Sequence, residues 1–126
     1  MSESRPSKVA TIVGWILGIL PCLLLIFSAT MKFVQPASMQ EGLDHLGWPM
    51  RLMIYLGIVE LGCTILYLIP KTAVLGAVLF TGYLGGATAT HTRVGDPWFG
   101  PVLFGVVLWL GLYLRDRRIR ALLPLR

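Results

Sequence analysis

Residues 57–67 read Gly57-Ile-Val-Glu-Leu-Gly-Cys-Thr-Ile-Leu-Tyr67, and they set one acid, Glu60, near the centre of an apolar segment running from Leu52 to Ile69. The segment is long enough to cross a bilayer. A carboxylate at mid-membrane is costly unless it is neutralised, paired or hydrated. Composition points to the same solvent. The chain has 126 residues, of which 56% are hydrophobic and 13% charged, whereas a soluble domain carries about 25% charged residues. The expected fold class is therefore all-α, a polytopic membrane protein.

Outward from residues 52–69, three further apolar runs occupy residues 9–31, 72–90 and 98–114. The first could be taken for a signal peptide, since Arg5 and Lys8 resemble a basic leader. Its apolar core is too long and no small-x-small cleavage site follows, so a retained first span is expected. Pro21 removes one backbone hydrogen bond from it and invites a kink. The longest polar connection, Lys32 to Arg51, holds Pro36 to His45, which suits a short interfacial helix with Pro36 in its first turn. Trp48 then suits the headgroup boundary. Pro70-Lys71 is so short a turn that the next span returns antiparallel beside the second. Gly14 with Gly18, and Gly82 with Gly86, form small-xxx-small pairs that favour close helix packing in lipid.

Four spans with short loops imply an up-down-up-down four-helix bundle. One side holds Arg5, Lys8, Lys71, Arg115, Arg117, Arg118, Arg120 and Arg126, and the other only Lys32, Arg51 and Arg93. The positive-inside rule then puts both termini in the cytoplasm. The domain division is a tail at residues 1–8, a transmembrane domain at 9–114 and a basic cytoplasmic tail at 115–126. The net charge of +5 sits in these flanks, so it speaks for orientation in the cell membrane rather than for nucleic acid. Arg115, Arg117, Arg118 and Arg120 are expected to contact anionic lipid. Cys22 lies about 20 Å from the start of its span, and Cys63 about 9 Å from the end of its own. At those different depths no disulfide is expected.

Depth along the spans sorts the polar groups. Glu60 falls about 13 Å into a core of roughly 30 Å, level with Gly18, Thr81, Gly82 and Gly105. Lys32 and His91 fall about 15 Å higher. With no cation at its own depth, Glu60 is expected to be a neutral acid facing the bundle interior, hydrogen-bonded to Thr81, to backbone or to a quinone-like oxygen. The pocket candidates are Glu60, Thr81, Lys32, His45 and His91, the two histidines lining an outer mouth. Lys32, Glu41, Asp44, His45, Arg51, His91, Arg93 and Asp96 share the outer side. Their spacing matches no metal-ligand motif, so salt bridges are expected there and no metal. No phosphate loop, haem-attachment motif or nucleophile–base arrangement is present. Neither an intrinsic cofactor nor autonomous catalysis is expected.

Four stretches carry a resemblance to a known family. They are Phe27-Ser-Ala-Thr-Met-Lys-Phe33, His45-Leu-Gly-Trp-Pro49, Gly57-Ile-Val-Glu60-Leu-Gly62, and Gly86-Ala87 through His91 to Gly95-Asp96. In order and spacing they resemble the DoxX-like family of small four-helix membrane proteins. The resemblance implies a protein of the cytoplasmic membrane associated with redox chemistry, since the family takes its name from a membrane subunit of a thiosulfate:quinone oxidoreductase. It implies pocket roles for Lys32, His45, Glu60 and His91. It does not extend to thiol–disulfide chemistry, because Cys22 and Cys63 form no paired motif.

Two functions are compatible with this reading. One is an accessory or anchoring subunit of a membrane redox complex, binding quinone or lipid near Glu60 and partnered by the complex or by a second copy. The other is a small transporter or a proton or solute pathway that uses Glu60.

Overall fold

The computed structural model describes residues 7–122. Arg5 and Arg126, counted above for orientation, lie outside the described residues. The chain is helical throughout its ordered elements: α1 (Lys8–Val34), α2 (Met39–Leu46), α3 (Met53–Leu68), α4 (Ala73–Arg93), α5 (Phe99–Arg115) and α6 (Arg117–Leu122). Helix α1, residues Met50–Leu68 and residues Pro70–Arg93 are long and apolar enough to span a membrane, and α5 is a shorter apolar helix of 17 residues. The protein is a multi-pass membrane bundle with three full-length spans and one shorter one.

Local chemistry sets the ends of these helices. The Ser7 side chain caps α1 by accepting from the backbone N–H of Ala10 at 3.0 Å. Helix α1 runs unbroken through Pro21 and ends where Gln35 turns left-handed at φ 54°. Pro36 lies outside α2 rather than in its first turn: its carbonyl accepts from Met39 N–H, and the helix begins there. The bonds from Met39 N–H to Pro36 and from Gln40 N–H to Ala37 close three-residue turns, so a tight turn holding the proline precedes the α-helix. Helix α2 ends on Gly47 at φ 79°, whose N–H bonds back to the Leu43 carbonyl at 2.8 Å. Turn Pro70–Thr72 joins α3 to α4, with Thr72 Oγ1 donating to the Leu66 carbonyl at 2.8 Å.

Helix α1 packs against α3 and α5, and α4 packs against the same two. Between them lies a core of Cys22, Tyr67, Phe80, Leu108 and Leu112, each at most 1% exposed. The Tyr67 and Phe80 rings meet edge to face at 6.0 Å. Lipid tails are as apolar as these side chains, so contact distance and hydrogen bonding hold the helices together rather than expulsion of water. Glycine provides the close contact. A Cβ on Gly111 of α5 would lie 2.9 Å from the Gly14 carbonyl oxygen of α1, and one on Gly76 of α4 would strike the Tyr67 backbone of α3. Gly14 and Gly18 do pack at a helix seam, as their spacing suggested. Gly82 and Gly86 do not: a Cβ on either meets nothing within 4 Å. Both instead border a cavity.

Candidate functional site

Glu60 is 1% exposed, on the face of α3 that also buries Gly57, Cys63, Thr64 and Tyr67. It is not isolated. Lys32 Nζ donates to its Oε1 at 2.9 Å and to Ser28 Oγ at 2.8 Å, and Ser28 Oγ approaches the same Oε1 at 3.3 Å. Side-chain exposure of the pair is 15% for lysine and 2% for glutamate. Tyr83 on α4 lies near the same carboxyl. Thr64 Oγ1 donates to the Glu60 backbone carbonyl at 2.8 Å, closing this turn of α3.

The expectation from depth, which left Glu60 without a cation and therefore neutral, is corrected: Lys32 is its salt-bridge partner. Three features of the chain bring the pairing about. First, α3 has only 16 residues, about 24 Å, so its outer end lies within about 10 Å of Glu60. Second, α1 continues past Met31 to Val34, which puts Lys32 inside the helix one turn beyond Ser28. Third, Gly18 lies against Tyr67 while Gly57 lies against Lys32 and Phe33, so α1 and α3 run in opposite directions. Helical side chains lean toward the N-terminus of their own helix. In an antiparallel pair Lys32 and Glu60 thus lean toward each other. Gly57, one turn before Glu60, makes room: a Cβ there would be 3.3 Å from the Lys32 Cβ.

Beside this pair opens a cavity of about 430 Å³ between α2, α3 and α4. Lys32 and Tyr83 contribute its polar wall, with His91 and Thr90; Leu43, Leu46, Met53 and Leu56 are among its apolar lining. His91 Nδ1 lies 2.8 Å from the Ala87 carbonyl. A carbonyl only accepts, so Nδ1 carries the hydrogen.

The other candidates fall elsewhere. Thr81 was expected level with Glu60. It donates instead to the Ala77 carbonyl and accepts from Trp109 Nε1, both at 2.8 Å, on the α4–α5 side. The depth count set its height but left its direction open, and Thr81 faces α5. Gly105 likewise faces Leu84, and Gly18 faces Arg115 and Tyr67. His45 is absent from the cavity wall and pairs with Asp96 at 2.9 Å, tying α2 to the loop after α4. Arg93 adds a second tie by donating to the Leu46 carbonyl. Among the described residues no group of three His, Cys, Asp or Glu side chains could hold a metal ion. The two cysteines are free and buried.

The basic end is not uniform. Arg117 and Arg118 are exposed. Arg118 is clasped by Asp116 at 2.7 Å and donates to the Pro70 carbonyl. Arg115 turns inward, its guanidinium 4.4 Å from the Trp15 ring centre and 4.8 Å from that of Tyr67. Arg120 Nε is buried without a hydrogen-bond partner among the described residues. Ser28, Tyr83, Trp15 and Tyr67 were not singled out as site residues from sequence. Ser28 carried a usable signal, since it stands four residues before Lys32 on the same helical face.

Fold and site together define a small helical integral membrane protein with a buried glutamate, paired to a half-buried lysine, beside an apolar-walled cavity. Residues 16–114 match the DoxX-like family, and the chain belongs to it. No curated protein and no solved structure matches it.

Proposed function

We propose that this protein is an accessory subunit of a membrane redox complex, a bundle that anchors a catalytic partner and offers a quinone or lipid a docking place. The observation that carries the reading is the cavity. A space of about 430 Å³, largely apolar in its walls and polar at Lys32, Tyr83 and His91, suits a lipid-soluble molecule with a polar head. In this reading the bundle is up-down-up-down with residues 1–8 and 115–126 in the cytoplasm. Arg117, Arg118 and Arg120 rest on anionic lipid there, while Arg115 serves the helix packing.

Transport through Glu60 has less behind it. Lys32 already neutralises the carboxylate, and Tyr67 of α3, Phe80 of α4 and Leu108 of α5 fill the core between the helices. The test is purification of the tagged full chain from native membranes in mild detergent. A co-purifying oxidoreductase with quinone-dependent activity supports the proposal. A bundle that emerges alone, and that drives Glu60-dependent proton flux in proteoliposomes, overturns it.

A further inference from the structure

We propose that the cavity beside Lys32 and Glu60 selects an uncharged, single-chain amphiphile whose head presents a hydrogen-bond acceptor oxygen, above all a carbonyl. It discriminates against carboxylates, phosphates and amines. The proposal rests on reading this cavity as a ligand site and adds the chemistry of what enters it.

Charge balance is the first argument. Lys32 and Glu60 cancel each other at 2.9 Å. An anionic head that captured Lys32 would leave Glu60 buried without its cation, and a cationic head that captured Glu60 would strand Lys32. Either exchange strips a buried charge of its partner, which is the costly way to disturb such a pair. Of the other charged groups on this side, His45 pairs with Asp96 and Arg93 donates to the Leu46 carbonyl. None of Glu41, Asp44, His45, Arg51, Arg93 and Asp96 lines the cavity. An uncharged head disturbs none of these pairings.

Donor accounting is the second argument. An ammonium has three N–H donors. Lys32 directs one to Glu60 Oε1 and one to Ser28 Oγ. The third has no protein acceptor among the described residues, and Lys32 lines the cavity. A donor facing a largely apolar cavity calls for an acceptor. His91 does not compete for the same role, since its Nδ1–H is spent on the Ala87 carbonyl.

Shape is the third argument. Gly82 and Gly86 line the α4 side, where an added Cβ meets nothing within 4 Å. Met39 of α2 and Met53 of α3 also line it, and such side chains adjust to an alkyl tail.

The test uses the full chain in nanodiscs of phosphatidylcholine and a methyl decyl ketone carrying a diazirine in its tail. After illumination, adducts should concentrate on cavity residues such as Leu43, Met53 and Leu56. Unlabelled methyl decyl ketone should compete roughly tenfold better than laurate or dodecylamine. Gly86→Leu fills the cavity without touching the ion pair and should remove most of the adduct. Glu60→Gln should reverse the preference, making laurate the better competitor because Lys32 then lacks its anion. If Glu60→Gln does not fold, the Gly86→Leu comparison and the three competitors still decide. Cavity adducts displaced equally well by laurate or dodecylamine would overturn the selectivity while leaving a ligand site. Adducts spread over lipid-facing residues such as Ile54 and Ile58, unchanged in Gly86→Leu, would overturn the site itself. A cavity that takes the ketone in a protein with no redox partner would sustain this proposal and defeat the subunit reading.

Discussion

Arg115 Nη1 donates to Tyr67 Oη at 3.3 Å while its guanidinium lies over the Tyr67 ring. The same nitrogen reaches the Gly14 carbonyl at 3.1 Å, and Tyr67 Oη in turn donates to the Leu108 carbonyl. One side chain therefore ties α1, α3 and α5 near one end of the bundle. Lys32 and Glu60 tie α1 to α3 near the other. Gly18 makes the first tie possible, since a Cβ there would strike the Arg115 guanidinium.

Arg115→Lys keeps the charge but loses the planar fork and its stacking on Trp15 and Tyr67. It is expected to destabilise the bundle by about 1–2 kcal/mol. Denaturant titration in detergent micelles, followed by tryptophan fluorescence, reads this directly. A stability equal to that of the unaltered protein would remove the clasp from the account.

The buried pair should be more sensitive. Lys32→Met or Glu60→Gln alone leaves one partner unmatched and is expected to cost about 3–5 kcal/mol. Lys32→Met combined with Glu60→Gln removes both charges and should recover part of that loss. A double-mutant cycle on thermal midpoints measures the coupling. Losses that simply add would mean that the two residues do not act as a pair.

The spans were legible in the sequence because apolar length is a one-dimensional property: residues 9–31 and 52–69 needed only composition to be read. Glu60 was legible as well, being the wrong residue for its surroundings. Its partner was not. The pairing with Lys32 depends on the length of α3, on the extension of α1 to Val34 and on the lean of side chains in antiparallel helices, none of which depth counting captures. Thr81 shows the same limit from the other side, with the height reckoned and the facing direction missed. Glycine spacing was equally two-valued. Gly14 and Gly18 mark a packed seam, whereas Gly82 and Gly86, at the same spacing, border an open space.

That contrast among glycines can be tested. Gly76→Ala and Gly111→Ala place a Cβ against backbone of the neighbouring helix and should each cost about 1–3 kcal/mol. Gly86→Ala meets no neighbour and should leave stability unchanged to within about 0.5 kcal/mol. The three thermal midpoints, measured in one detergent, decide it. Equal losses at all three positions would contradict the packing described.

Asp116 gives a pH dependence outside the spans. Burial pushes its carboxyl up, but hydrogen bonds from the Arg118 side chain and backbone, with the charges of Arg118 and Arg115, outweigh that and hold it below the ordinary carboxylate range. A lowered folded value means that its contribution is fully present above the unfolded value of about 3.9 and fades as pH falls below it. The difference in thermal midpoint between the unaltered protein and Asp116→Asn should therefore be constant above about pH 5 and shrink under acid. A difference that grows under acid would have the wrong sign.

The central claim is that Glu60 is the anion of an ion pair, not a neutral acid. Infrared difference spectroscopy between the unaltered protein and Glu60→Gln, at neutral pH in lipid, reads this at the residue itself. The account expects the lost signal to be the carboxylate stretch. Loss of a protonated carboxylic acid carbonyl band instead would contradict it, and with it the charge rule proposed for the cavity.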